Sequence, residues 1–213
     1  MKICTQLLLL TLLCFSPALF AQSTSDQIEI LDERERSALV DEILQDRMEN
    51  LLPQLMKREG IDMWILISRE YNEDPVMKTM LPSTWLSARR RTMMVFSLNE
   101  NKIDKIAIAR DSVGKLLRGE WNLNVYPDQW EALMSIIEDK DPQTIGLNYS
   151  EDFALADGLV KTEYQTFMEK VPAQYKNRIV SAERLAIAWL ETRSNKEIEL
   201  YDTVCAIGHQ ILQ

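Results

Sequence analysis

The chain has 213 residues, which is enough for one good-sized domain, or for one domain and part of another. Hydrophobic residues make up 46% of it and charged residues 27%, so the composition is that of a globular protein and not of a disordered one. The 33 acidic residues outnumber the 24 basic ones, and the resulting net charge of −9 excludes general nucleic-acid binding.

Residues 1–21 have the order of a secretory signal peptide, with a basic Lys2, an apolar run over residues 7–15 and small residues at Ala18 and Ala21. The run is too short to cross a bilayer comfortably. Cleavage after Ala18 or after Ala21 remains open. The sequence therefore predicts a secreted or periplasmic protein without a membrane association after cleavage. The polar residues 22–27 indicate that residues 22–32 form a flexible N-terminal segment.

A long amphipathic helix is predicted over residues 33–58, because apolar side chains recur there at helical spacing. Pro53 is expected to kink or split this helix, and Gly60 to end it. The apolar stripe consists of Val40, Leu44, Met48, Leu51 and Leu55.

Short apolar runs and helical patterns alternate after residue 60, which predicts an α/β domain with a mixed, mostly parallel sheet flanked by helices. The strands next to the turn-like residues 99–101 are expected to form a hairpin, and Val125 to lie on a short strand. A helix is expected to begin at Pro127 and another at Ser150, which would cap it. Five strands are predicted, over residues 63–67, 92–96, 105–109, 144–147 and 178–180.

The last part of the sequence predicts two further helices. The first covers residues 182–190, and the second begins at a capping box formed by Ser194 and Glu197. Its apolar stripe is still running at Gln213, so we expect the start of a truncated further domain. The stripe consists of Leu200, Val204, Ile207 and Ile211.

The sequence offers few cysteine or histidine residues for catalysis or metal binding. Cys205 is the only cysteine outside the predicted signal peptide, and its apolar helical neighbours predict a buried structural residue. His209, the only histidine, could join it in a two-ligand metal site, although an exposed helix histidine is the simpler interpretation. Nucleotide-binding, serine-hydrolase and zinc-peptidase motifs are absent. The sequence thus predicts no catalytic and no metal-binding residue in this chain.

Two polar segments are candidates for binding. Residues 68–75 follow a predicted buried strand, where ligands gather in open α/β sheets, and Arg69, Tyr71 and Asn72 are the candidate substrate-binding residues. A solvated loop is the alternative. Residues 89–91 are three arginines, which suit recognition of a carboxylate or ion pairs with the acidic residues of the chain itself.

Two segments carry a family resemblance. Arg47-Met48 leads through Gly60-Ile61-Asp62 into the run Met63-Trp64-Ile65-Leu66-Ile67, and residues 190–200 read Leu-Glu-Thr-Arg-Ser-Asn-Lys-Glu-Ile-Glu-Leu. The first segment resembles the opening of the N-terminal domain of the creatinase/prolidase/aminopeptidase P family. Residues 190–200 resemble the junction with the family's catalytic "pita-bread" domain. Residues 68–75 are similar to an aminopeptidase P-like branch. The resemblance covers residues 33 to 213.

The resemblance implies a creatinase-like N-terminal domain over residues 33–181, and a linker helix with the truncated start of a catalytic domain over residues 182–213. Such an N-terminal domain is noncatalytic, shapes the substrate entrance and takes part in dimer contacts, so a peptide substrate and a homodimer are expected. The catalytic domain binds two divalent ions (Mn, Co or Zn) through two Asp, one His and two Glu. Those ligands would lie beyond Gln213, so no cofactor is expected in this chain.

The whole protein would then be an exported, metal-dependent Xaa-Pro aminopeptidase or a related dipeptidase, and this fragment would be inactive alone. Two alternatives remain open. One is a homologue that has lost catalysis, and the other is a stand-alone periplasmic ligand-binding module.

Overall fold

The computed structural model of the protein describes residues 30–212. The predicted signal peptide and most of the predicted flexible segment, residues 22–32, lie outside them. Every described helix and strand belongs to the compact unit of residues 31–213.

The first helix is divided as Pro53 predicts. α1 covers Glu33–Asp46, a π-helical turn covers Arg47–Leu51, and α2 covers Leu52–Glu59. Proline has no N–H to donate, and the wider turn accommodates this loss because the Leu52 N–H donates to the Arg47 carbonyl five residues back. Gly60 ends α2 in the left-handed conformation, with φ +68°, as predicted.

A mixed six-stranded sheet forms the centre of residues 30–212, in the order β4-β3-β2-β1-β5-β6. β2 pairs antiparallel with both β1 and β3, so the predicted hairpin is confirmed. The β1–β5, β5–β6 and β3–β4 pairs are parallel, but they are shorter than the antiparallel ones. The strands are β1 (Met63–Arg69), β2 (Arg91–Asn99), β3 (Lys102–Ala107), β4 (Arg118–Gly119), β5 (Ile145–Leu147) and β6 (Ile179–Ser181).

Helices cover both faces of this sheet, which confirms the predicted α/β class. β1 is central and buried on both faces, because Trp64 and Leu66 point into one hydrophobic cluster, and Met63 and Ile65 into the other. The first cluster includes residues of α1, of α2 and of the helix Glu183–Glu191, and the second includes residues of the helices Gln129–Lys140 and Lys161–Lys170. The remaining helices are α3 (Pro75–Lys78), α4 (Gln129–Lys140), α5 (Lys161–Lys170), α6 (Glu183–Glu191) and α7 (Asn195–Leu212).

Two local predictions are wrong. Val125 is 58% exposed in a turn, where its N–H donates to the Asn122 carbonyl, and no strand forms there. Ser150 caps no α-helix: its Oγ accepts from the N–H of Phe153, and only a 3₁₀ turn follows at Ala154–Ala156. The helix begins at Lys161 instead, because the Leu159 N–H returns to the carbonyl of buried Asn148.

The predicted capping box at the start of α7 is confirmed. The Ser194 N–H donates to Glu197 Oε2 at 2.7 Å, and the Glu197 N–H donates to Ser194 Oγ at 3.3 Å. Within the part of the chain that the structure describes, no helix combines the length and apolar character that crossing a membrane requires.

Candidate functional site

One end of the sheet brings together residues that are distant in the sequence. β1, β3 and β4 end there and β2 begins there, so Arg69, Arg91 and the residues that follow β3 and β4 share this edge. Ligands of open α/β sheets bind beyond the carboxyl ends of strands. This edge is therefore the place where a ligand site is expected.

A groove of about 660 Å³ lies at this edge, and we name it the arginine–tryptophan groove. The wall of the groove includes Asp111 and Gln129, the first residue of α4. Its basic and aromatic side chains are Trp85, Arg89, Arg90, Arg91, Arg110 and Trp121.

Arg91 has an internal partner. Its guanidinium donates to both carboxylate oxygens of Glu163, at 2.9 and 3.3 Å, and it lies 5.3 Å from the ring centroid of Trp130. Arg69 also faces Glu163, at 3.6 Å. Because the Glu163 side chain is buried, these arginines supply the charge that its burial requires. The first role of Arg91 is therefore to stabilise the fold.

The other three arginines of the groove, Arg89, Arg90 and Arg110, are exposed, and none forms an ion pair with any residue between positions 30 and 212. Arg89 lies 5.6 Å from the ring centroid of Trp85, and Arg110 lies 5.7 Å from that of Trp121. Among the described residues no carboxylate pairs with these three guanidinium groups, although the acidic residues of the chain outnumber the basic ones.

The backbone beside the groove adopts conformations that side chains disfavour. Arg90 has φ +50° and Tyr71 has φ +70°. Two hydrogen bonds hold the first of these, because the Glu70 N–H donates to the Arg90 carbonyl at 2.6 Å and Glu70 Oε2 accepts from the Arg90 N–H at 3.0 Å. Left-handed residues other than glycine cost about 1 kcal/mol or more each and concentrate at functional sites.

The residues predicted to bind substrate lie next to the groove and do not line it. Arg69 contacts Glu163, Tyr71 is 92% exposed, and the Asn72 N–H donates to the Arg69 carbonyl at 3.0 Å. Their loop is joined to the groove residues by the hydrogen bonds between Glu70 and Arg90 and by the pairing of Arg69 with Arg91 in the sheet. Of the two interpretations of residues 89–91, pairing with internal acid applies to Arg91, and free guanidinium groups are found at Arg89 and Arg90.

Arg110 and Trp121 were not among the predicted site residues. Each comes shortly after a strand, Arg110 after β3 and Trp121 after β4, as Arg69 ends β1. The position directly after the predicted strand 105–109 is a sequence signal for Arg110, whereas Trp121 follows a strand that the sequence does not predict. Trp121 is held in place because its indole N–H donates to the Tyr126 carbonyl at 2.8 Å.

A network of hydrogen bonds among buried polar groups lies under the loop of residues 68–75. Asp74 is fully buried and accepts from the Val76 N–H at 2.7 Å, the Met77 N–H at 3.0 Å and the Asn148 amide at 2.8 Å. Asn148 in turn accepts from the Trp64 indole at 2.7 Å. Burial raises the pKa of the Asp74 carboxyl above its ordinary value, although these hydrogen bonds act in the opposite direction. The network positions the loop.

This raised pKa predicts that Asp74 stabilises the fold most at low pH. Folded protein holds the proton more tightly than unfolded chain does, so the contribution is fully present below the unfolded pKa of about 3.9 and is lost as the pH rises through the folded value. Wild type should therefore gain stability relative to Asp74→Asn, which does not titrate, as the pH falls from about 7 to about 4. Urea unfolding of both proteins over this range measures the difference, and a difference independent of pH would contradict the prediction.

Residues 30–212 contain no group of three or more His, Cys, Asp or Glu side chains placed to hold a metal ion. Cys205 and His209 are both exposed on α7, so the prediction of a buried Cys205 is wrong. The physical reason is that none of the described elements covers that side of α7.

At the level of sequence, no protein-family model matches the chain, and no curated protein matches it significantly.

Proposed function

We propose that this domain is the noncatalytic N-terminal domain of an exported aminopeptidase P-like metallopeptidase, where it shapes substrate access and takes part in dimer contacts. The proposal rests on the resemblance of residues 47–67 and 190–200 to that family. The observation that supports it most is the geometry of α7, which is tightly fixed to the domain at one end and leaves apolar side chains exposed along its length.

Arg47 fixes the beginning of α7. Its guanidinium donates to the carbonyl oxygens of Trp189 and Thr192 and to the carboxylate of Glu197, and it lies 4.3 Å from the ring centroid of Trp189. The Arg47 side chain is only 9% exposed. Together with the capping box at Ser194, these contacts set the direction in which α7 leaves the α/β domain.

Beyond this attachment, apolar residues of α7 face solvent. Ile198 is 58% exposed, Val204 63% and Ile211 78%. Burying one such side chain contributes about 1.5–3 kcal/mol, so a further domain packed on this face would be strongly held. A catalytic domain in that place would supply the metal ligands and two divalent ions, Mn, Co or Zn, which activate water for attack on a peptide bond.

A second candidate function is a stand-alone periplasmic ligand-binding module. The arginine–tryptophan groove favours it. Unpaired arginines in a groove of this size suit an anionic ligand, and binding of such a ligand needs no catalytic domain.

The deciding experiment compares this chain with the product of the complete reading frame that contains it. Both are assayed for cleavage of an Xaa-Pro peptide with added Mn²⁺, Co²⁺ or Zn²⁺, and the same peptide with alanine in place of proline is the control substrate. We expect cleavage before proline by the longer product alone, and its loss on chelation of the metal. Activity of the present chain alone, or inactivity of the longer product with all three metals, would overturn the proposal.

A further inference from the structure

We propose that the arginine–tryptophan groove is a binding site for the carboxylate of a short peptide. The site belongs to this chain and requires no peptidase activity, so it goes beyond the peptidase function. It rests on the second candidate function, a ligand-binding module, and names the class of its ligand. Arg89 and Arg110 bind the carboxylate, and the indoles of Trp85 and Trp121 contact the adjoining residues of the peptide.

The arginines supply the anion recognition. A guanidinium presents N–H donors in a planar fork that matches a carboxylate, and charged hydrogen bonds of this kind are about twice as strong as neutral ones. Arg89, Arg90 and Arg110 have no carboxylate partner within the described part of the chain, whereas Arg91 has Glu163. Their donors are therefore available to a ligand without the loss of an internal ion pair.

The tryptophans and the volume of the groove indicate a ligand larger than a simple ion. Trp85 and Trp121 are half-buried, so part of each indole remains accessible in the groove wall. Sites for small organic ligands measure about 300–1,000 Å³ and combine apolar surface with a few polar groups. A groove of about 660 Å³ falls in this range, and a lone anion would leave the indole surface unused.

The charge of the chain favours a ligand with few negative charges. At a net charge of −9, long-range repulsion disfavours polyanions such as nucleic acids. Asp111 in the groove wall adds local repulsion against a densely charged group. A peptide carboxylate carries one charge, and the three unpaired arginines outweigh the single acid in the wall.

Titration calorimetry of the purified chain with Ala-Ala-Leu tests the proposal. We expect a Kd below about 1 mM, and binding at least about tenfold weaker for the C-terminal amide of the same peptide. Acetate and inorganic phosphate should each bind more weakly than the peptide acid, because neither contacts the indoles. Arg89→Gln and Arg110→Gln should each weaken binding of the acid about tenfold, since each loses a charged hydrogen bond.

Arg36→Gln is the matched control. Arg36 is exposed on α1, away from the groove wall, and its replacement makes the same change in net charge. It should leave binding of Ala-Ala-Leu unchanged. Equal binding of acid and amide, acetate or phosphate binding as tightly as the peptide, an equal loss in Arg36→Gln, or no binding at about 10 mM peptide would each overturn the proposal. Because binding is measured on this chain, an inactive longer product would leave the result standing.

Discussion

Replacing Gly158 with alanine is expected to lower the free energy of unfolding by about 3 kcal/mol. A Cβ at this position would lie 2.3 Å from both Cγ and Oδ2 of Asp74, far inside van der Waals contact. Asp74 cannot withdraw, because it is fully buried and held by the N–H groups of Val76 and Met77 and by Asn148. The added methyl group must therefore break this network or displace the backbone.

Urea unfolding of Gly158→Ala measures this loss, and Gly208→Ala is its control. Gly208 lies within α7, and no atom would come within 4 Å of its added Cβ. Alanine forms a helix more readily than glycine, so the control should be unchanged or more stable by up to about 1 kcal/mol. Equal effects in the two variants would show that the close approach to Asp74 has no energetic consequence.

Replacing Arg47 with methionine is expected to cost about 2–3 kcal/mol and to loosen the start of α7. Methionine fills much of the same volume, but it removes the donor to the carbonyls of Trp189 and Thr192 and leaves the Glu197 carboxylate without its cationic partner. Removing one partner of a largely buried charged group costs more than the pair contributes, because the remaining groups stay desolvated.

The control for Arg47→Met is Lys196→Met. Lys196 pairs with Glu42 and also links α7 to α1, but both side chains are exposed, so its loss should cost little stability. Urea unfolding gives the free energies, and hydrogen exchange gives the opening of α7. We expect faster exchange at the start of α7 in Arg47→Met only. Equally fast exchange in Lys196→Met would mean that the Arg47 contacts do not fix this helix.

The first helix illustrates how far local sequence determines structure. The apolar spacing predicted its extent, and the missing N–H of Pro53 predicted its division. The π-helical turn that joins α1 to α2 could not be predicted. Nor could the contact of the buried Arg47 with the end of α6 be predicted. That contact joins residues more than 140 positions apart, and no periodicity within a helix encodes it.

The segment after β5 illustrates the opposite case. Ser150 and the acidic residues after it predicted a helix start, and Ser150 does accept hydrogen bonds as a cap would. The chain instead follows the buried network, with Gly158 against Asp74 and the Leu159 N–H on the Asn148 carbonyl. Tertiary hydrogen bonds here override a local capping preference of about 1 kcal/mol.

The candidate site likewise combines features that the local sequence predicts with features that depend on tertiary packing. The α/β class, a buried strand over residues 63–67, a hairpin around residues 99–101 and the suitability of residues 89–91 for an anion were predictable from the sequence, because each depends on neighbours in the chain. The pairing of Glu163 with Arg91, and the meeting of Arg110 and Trp121 with Arg89 in one groove, depend on tertiary packing. Strand order brings those residues together, and strand order follows from packing both faces of the sheet, which no single segment specifies.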